Sequence, residues 1–260
     1  MSAGTYAPKP GAAPLTRMIT SQAAFETKML LRNGEQLLLT VIIPSLLLVL
    51  FSTVDILALP TGTTGGGKSV DFLAPGILAL AVMSTAFTGQ AIATGFERRY
   101  GVLKRLGASP IPRWALMTAK TISVLVTEIL QIALLTVIAF ALGWSPHGSP
   151  VAAALLLVLG TAAFSGLGLL MAGTLRAEAT LAAANLVFLL LLVGGGVIVP
   201  LDRFPDGVAS ALALLPISAL SDGLRDVLQH GAGMPWGDLG ILAVWAVLGL
   251  GAAARLFRWE

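Results

Sequence analysis

The sequence predicts an all-α integral membrane protein with six transmembrane helices, and three observations carry that prediction. The first is composition: 56% of the 260 residues are hydrophobic, 29 are glycine and only 11% are charged, where soluble domains carry about 25% charge. So few charges do not cover a water-soluble globule of this size, and a chain this apolar does not stay disordered in water. The second is a set of uncharged runs long enough for a bilayer, since about 30 Å of hydrocarbon needs about 20 apolar residues. The third is the segregation of basic residues to one side of those runs.

The elements follow in chain order. Residues 1–14 are polar, carry Pro8, Pro10 and Pro14, and lack the apolar stretch of a cleavable signal. From Leu15 to Gln36, apolar Met18, Ile19, Ala23, Phe25, Met29 and Leu30 alternate with Arg17, Glu26, Lys28 and Arg32, the pattern of a helix lying in the inner interface. Residues 1–35 therefore read as a cytoplasmic tail with an interfacial amphipathic helix, and 36–260 as a single six-span domain. Runs without Asp, Glu, Lys or Arg extend from Gln36 to Val54, Phe72 to Phe96, Ile129 to Leu175 and Ala179 to Leu201. The third, 47 residues long, is broken by turn formers from Gly143 to Pro150 around an interfacial Trp144 and holds two spans. A last run, Leu239 to Ala254, reaches full length with Trp236 and Phe257 at its interfaces. The predicted spans are 36–58, 72–96, 117–142, 151–175, 179–200 and 237–257.

Six spans leave both termini on one side, and basic residues choose it. Thirteen of the 16 Lys and Arg fall on the side of the termini; only Lys68, Arg203 and Arg225 fall on the other. Both termini are expected in the cytoplasm, with formal charge +8 inside, −3 outside and −2 within the spans. The basic side reads as topology and contact with anionic lipid headgroups, with no nucleic acid involved.

Gly62-Thr63-Thr64-Gly65-Gly66-Gly67-Lys68-Ser69 fits the nucleotide-binding P-loop pattern, but the pattern works only where a strand delivers the loop to a helix N-terminus. Here it joins two spans on the outer side, so it reads as a flexible connector. The absence of cysteine excludes thiolate and disulfide chemistry, and His147 and His230 are assigned to outer loops as solvated side chains, so no metal site is expected. Ala162-Ala163-Phe164-Ser165-Gly166 lacks the first glycine of a nucleophile elbow, and no catalytic residue is assigned.

The longest cytoplasmic loop, Glu97 to Trp114, holds five of the 16 basic residues. Leu103, Leu106 and Ile111 make a small apolar ridge, and Gly107 to Pro112 end any helix begun at Glu97. This is a short surface helix fixed between two spans. At this loop the sequence resembles the permease subunits of type-two ATP-binding-cassette exporters, which include daunorubicin-resistance and polysaccharide-export permeases. Glu97, Gly101, Leu103, Leu106, Pro110 and Lys120 fall on the family's signature, and Lys104-Arg105 is similar to the drug-type branch; Val102 stands where many members carry threonine. Arg32-Asn33 and Pro44 look like the segment leading into the family's first span. Pro200, Phe204, Pro205, Leu215, Pro216, Asp222, Leu224 and Arg225 resemble its outer segment. Read from residues alone, Gly207 to Ser221 is uncharged, too short to span and interrupted by Pro216.

The resemblance implies that this chain is the membrane half of an exporter. It implies a cytoplasmic coupling helix between spans 2 and 3 docking the ATPase through Glu97, Arg98, Gly101, Leu103, Lys104, Arg105, Leu106 and Pro110. An outer re-entrant hairpin between spans 5 and 6 would carry Pro200, Pro205, Pro216, Asp222 and Arg225. Two separate ATP-binding subunits would supply ATP and magnesium, none being held by this chain, and a second permease chain, identical or a paralogue, would complete the pathway.

Within the spans, Glu128 lies near the midplane of the third, where a carboxylate costs about 2.5–3.5 kcal/mol on insertion scales. Gln131 follows one turn on, and Gln90 is in the second span. These three form a candidate substrate path for a cationic or amphiphilic cargo, or an interhelical hydrogen-bond set that fixes the bundle. Gly194-Gly195-Gly196 in the fifth span marks close packing or a bend. The cargo classes carried forward are a drug-like or lipid-like amphiphile and a polysaccharide or glycolipid. A proton-coupled carrier using Glu128 is the alternative from another class.

Overall fold

A computed structural model describes residues 13–34, 38–53, 69–107, 111–197 and 205–258. Among these residues every regular element is a helix. The amphipathic segment forms α1 (Leu15–Arg32). Helix α2 (Ile43–Thr53) follows a π-helical turn at Leu38–Ile42. Helix α3 (Ser69–Arg99) is α-helical to Val82, π-helical through Met83–Gly89 and α-helical again from Gln90. The chain turns at Gly101, whose φ of 70° suits glycine, into the short α4 (Val102–Gly107). Helices α5 (Arg113–Ala141), α6 (Pro150–Thr174) and α7 (Ala177–Gly194) come next. They are followed by a short pair, α8 (Asp206–Leu212) and α9 (Pro216–Leu228), and by α10 (Trp236–Leu256).

Among the described residues, five helices are long and apolar enough to cross a membrane: Ser69–Arg99, Trp114–Ala141, Pro150–Thr174, Ala177–Gly194 and Trp236–Leu256. Of the first expected span, 36–58, only 38–53 is described, with Thr40–Thr53 an apolar helix shorter than those five; its remaining residues lie outside those described, as do Gly62 to Lys68 of the P-loop-like stretch and Asp55. The fifth span ends sooner than expected. Its helix stops at Gly194, and Gly196 takes a φ of 69°, which an L-residue adopts only with strain. The surface helix also differs from expectation: Glu97 belongs to the end of α3, and the new helix starts only after Gly101.

Helix α3 is the axis of the bundle, with 89% of its most apolar window buried, against 17% for α7. Leucines and valines of α5, α7 and α10, among them Leu134, Leu190 and Val247, point outward, as lipid-facing side chains do. Helix α6 packs most extensively on α10. Their axes close up where Gly166 meets Gly249: a Cβ on Gly166 would stand 2.5 Å from the backbone nitrogen of Leu250. Small residues at a crossing let two apolar helices approach through dispersion contacts alone.

Candidate functional site

The two candidate regions sit at opposite ends of α3: α9 packs on its N-terminal part, and α4 follows its C-terminal end. At the α4 end, Lys120 of α5 is 4% exposed. Its Nζ donates to Glu97 Oε2 at 2.5 Å and to Glu26 Oε2 at 3.2 Å. Three elements, α1, α3 and α5, are thereby joined through one ammonium. Glu26 also accepts from Gln22 Nε2 at 2.9 Å, and burial pushes its carboxyl above the usual range while Lys120 pulls it back. An ion set this enclosed holds only while every member is paired.

The candidate coupling segment divides into a buried and an exposed face. Leu103 is fully buried and Leu106 half-buried, whereas Lys104 and Arg105 are exposed. Arg98 is turned back into the chain, where its guanidinium donates to the carbonyls of Gly173, at 2.7 Å, and Leu175 at the end of α6. Arg99 pairs with Glu178 at the start of α7. The exposed basic pair on α4 is therefore Lys104-Arg105, and Gly101 supplies the turn that presents it. Pro110 lies outside the described residues.

Between the two ends runs a polar seam. Along α5, Lys120, Ser123, Thr127 and Gln131 recur at three and four residues, and all four are buried, so they form one stripe. On α3, Gln90, Thr94 and Glu97 repeat the same spacing. Gln131 accepts from Thr85 Oγ1 at 2.7 Å and donates to the carbonyl of Thr40, tying α5 to α3 and to the turn before α2. Glu128, 1% exposed, accepts from Thr161 Oγ1 of α6 at 2.5 Å through Oε2, while its Oε1 has no partner among the described residues. Thr161 Oγ1 also lies 2.7 Å from the Leu157 carbonyl. Gln131 and Glu128 thus engage different neighbours, although they stand one turn apart.

Gln90 differs from both. It is 5% exposed, and among the described residues neither atom of its amide has a hydrogen-bond partner. It lines a cavity of about 700 Å³ bounded by α1, α3, α4 and α5, whose wall also includes Glu26, Glu97 and Lys120.

At the far end, Arg225 of α9 is 6% exposed and donates to the carbonyls of Gly196 at 2.7 Å and Val197 at 2.6 Å. Its Nη1 is 3.1 Å from Asp222, and its guanidinium stacks 4.2 Å from the Phe72 ring centroid. The helix break after Gly194 exposes carbonyls that Arg225 then fills. Pro216 opens α9, Pro205 precedes α8, and Trp245 of α10 donates to the Leu214 carbonyl between them. Pro200 lies outside the described residues. His147 and His230 are not brought together as a pair of ligands: His230 faces Asp226 at 3.3 Å, and the backbone of His147 donates to the Leu228 carbonyl.

The comparison with known families falls on this same framework. The sequence model of the ABC-2 family transporter proteins matches residues 52–255. The chain belongs to the ABC-2 transporter family. It is a multi-pass membrane permease of an ATP-binding-cassette exporter, the transporter component without its own catalytic site, and the family pairs with an ATP-binding subunit. A search of curated proteins gave no match.

Sequence reasoning placed Glu97 and Lys120 on a signature without pairing them, and it missed Glu26 as their third member. The signal was present: a lone lysine entering an apolar helix needs a buried acid, and Glu26 lies among the apolar residues of α1.

Proposed function

We propose that this permease moves a drug-like or lipid-like amphiphile out of the cytoplasm or the inner leaflet, driven by ATP hydrolysis in a separate subunit that docks on α4. The observation that carries the reading is the two-faced coupling segment: Leu103 is held in the bundle, Lys104-Arg105 face outward, and Glu97 next to the turn is bonded to Lys120. A push on α4 passes through Glu97 and Lys120 into α5 and through Glu26 into α1. In this reading two ATP-binding subunits, carrying ATP and magnesium, serve two permease chains, identical or paralogous. All six spans are present, both termini are cytoplasmic, and the α8–α9 pair is a re-entrant hairpin at the external end of the path. Lys104-Arg105 favour the daunorubicin-resistance-like branch over polysaccharide or glycolipid export.

The test is charge reversal at the dock. Lys104→Glu with Arg105→Glu is expected to abolish co-purification of the ATP-binding subunit while the permease still inserts and melts as the parent does. Unchanged association and transport would remove the proposal. A second reading, a proton-coupled carrier, draws on the unpartnered Oε1 of buried Glu128; it requires transport without any ATPase.

A further inference from the structure

We infer that the cavity between α1, α3, α4 and α5 is an inner-leaflet binding site for a monocationic amphiphile, held within a single permease chain. The inference rests on the reading of this chain as an amphiphile exporter, and three observations carry it.

The first is size and lining. A volume of about 700 Å³ lies within the range of small-molecule sites, about 300–1,000 Å³. Phe25, Leu30, Phe96 and Val124 give it apolar walls, and the exposed Phe25, Met29 and Tyr100 form a mouth that a hydrophobic body can pass.

The second is Gln90. A buried amide with neither atom bonded costs stability and calls for an explanation, because native proteins pair nearly all such groups. Its helix neighbours do not serve it, and it stands on the cavity wall about 10 Å along α3 from Glu97 at 1.5 Å per residue. A ligand with an N–H donor or a carbonyl acceptor would satisfy it.

The third is charge. Two carboxylates, Glu26 and Glu97, face one ammonium, Lys120, and Glu97 keeps 32% of its side chain exposed. Arg32, the other basic residue on the wall, is an exposed residue at the rim, where water screens it. Once Glu26 has given up its proton, the enclosed part of the wall carries one excess negative charge. A cation entering beside Glu97 completes the set, and an anion meets two carboxylates. Because α4 forms one wall and α1 another, movement of the coupling segment would change the volume available to the guest.

The test uses the full-length permease in phosphatidylcholine nanodiscs, with empty nanodiscs as background. The probes are rhodamine 6G, a monocation with N–H donors and an ester carbonyl, and 8-anilinonaphthalene-1-sulfonate as its anionic counterpart. Saturable binding of rhodamine 6G and not of the sulfonate is expected. Gln90→Leu and Glu97→Gln should each weaken rhodamine binding about tenfold, the loss of one hydrogen bond or charge contact. Gln90→Leu should melt at or above the parent temperature, since its amide has no protein partner to lose. Equal affinity in Gln90→Leu and parent, equal binding of the anionic dye, or a lowered melting temperature in Gln90→Leu would each overturn the site. ATP-driven transport by the assembled complex separates the two levels. Transport that Gln90→Leu leaves unchanged removes this site and keeps the exporter; Gln90-dependent binding without ATP-driven transport keeps the site and removes the exporter.

Discussion

Lys120 concentrates the electrostatic risk of the molecule. Replacing it with methionine leaves Glu26 and Glu97 facing each other without a cation. The expected cost is about 3–5 kcal/mol, read as a drop in detergent melting temperature; adding Glu26→Gln and Glu97→Gln to the same chain should recover most of it. Failure of the triple variant to recover would show that Lys120 acts through packing. Glu26 gives a pH signature. Its native carboxyl holds a proton above the ordinary carboxylate range, mainly through burial, so across that window the native state binds more protons than the unfolded chain. Its contribution to stability therefore falls as pH rises through the window, and Glu26→Gln should flatten the melting-temperature profile there. An unchanged slope would assign the effect to another group. At the N-terminal end of α3, Arg225→Lys loses the fork that spans the Gly196 and Val197 carbonyls and should cost about 1.5–3 kcal/mol. Gln131 and Glu128 show what could not be read at this scale: residues three apart point about 60° apart on a helix, enough to face different partners. Ser123 and Thr127 escaped notice because their hydroxyls bond to the carbonyls of Lys120 and Ser123 in their own helix and leave no mark on hydropathy.

At the scale of elements, helix ends were legible wherever a chemical stop stood in the sequence. The break at Gly143 to Pro150 separates α5 from α6, and Pro216 opens α9. The end of α7 was not, because hydropathy continues through Gly194-Gly195-Gly196 while the backbone turns at Gly196 to meet Arg225. That partner is 29 residues away in the chain, beyond any local pattern. The α6–α10 crossing was equally hidden, since a glycine in an apolar run does not say what approaches it. Gly166→Ala should open this seam, with an expected loss of about 1–3 kcal/mol from overpacking against backbone atoms. An alanine variant that melts with the parent would mean the two helices separate at no cost. The coupling segment was legible as a basic turn with an apolar ridge, but its start was not: Gly101, with positive φ, ends α3 after Arg99 and transfers Glu97 from the surface helix to the span.

The whole molecule is a buried axis, α3, with a charged clamp at one end, an arginine-filled helix break at the other and a polar seam between them. Its membrane class and family are written in composition, in the order of apolar runs and in the basic turn. The way the clamp closes depends on three segments meeting in space and required the structure. In the proposed function this permease converts ATP hydrolysis in a partner subunit into export. The most direct measurement is uptake of rhodamine 6G into inside-out proteoliposomes holding the permease with or without its ATP-binding subunit, under ATP or under an imposed proton gradient. Uptake is expected only with both proteins and ATP, and is lost with Lys104→Glu and Arg105→Glu. Gradient-driven uptake by the permease alone, abolished by Glu128→Gln, would contradict it.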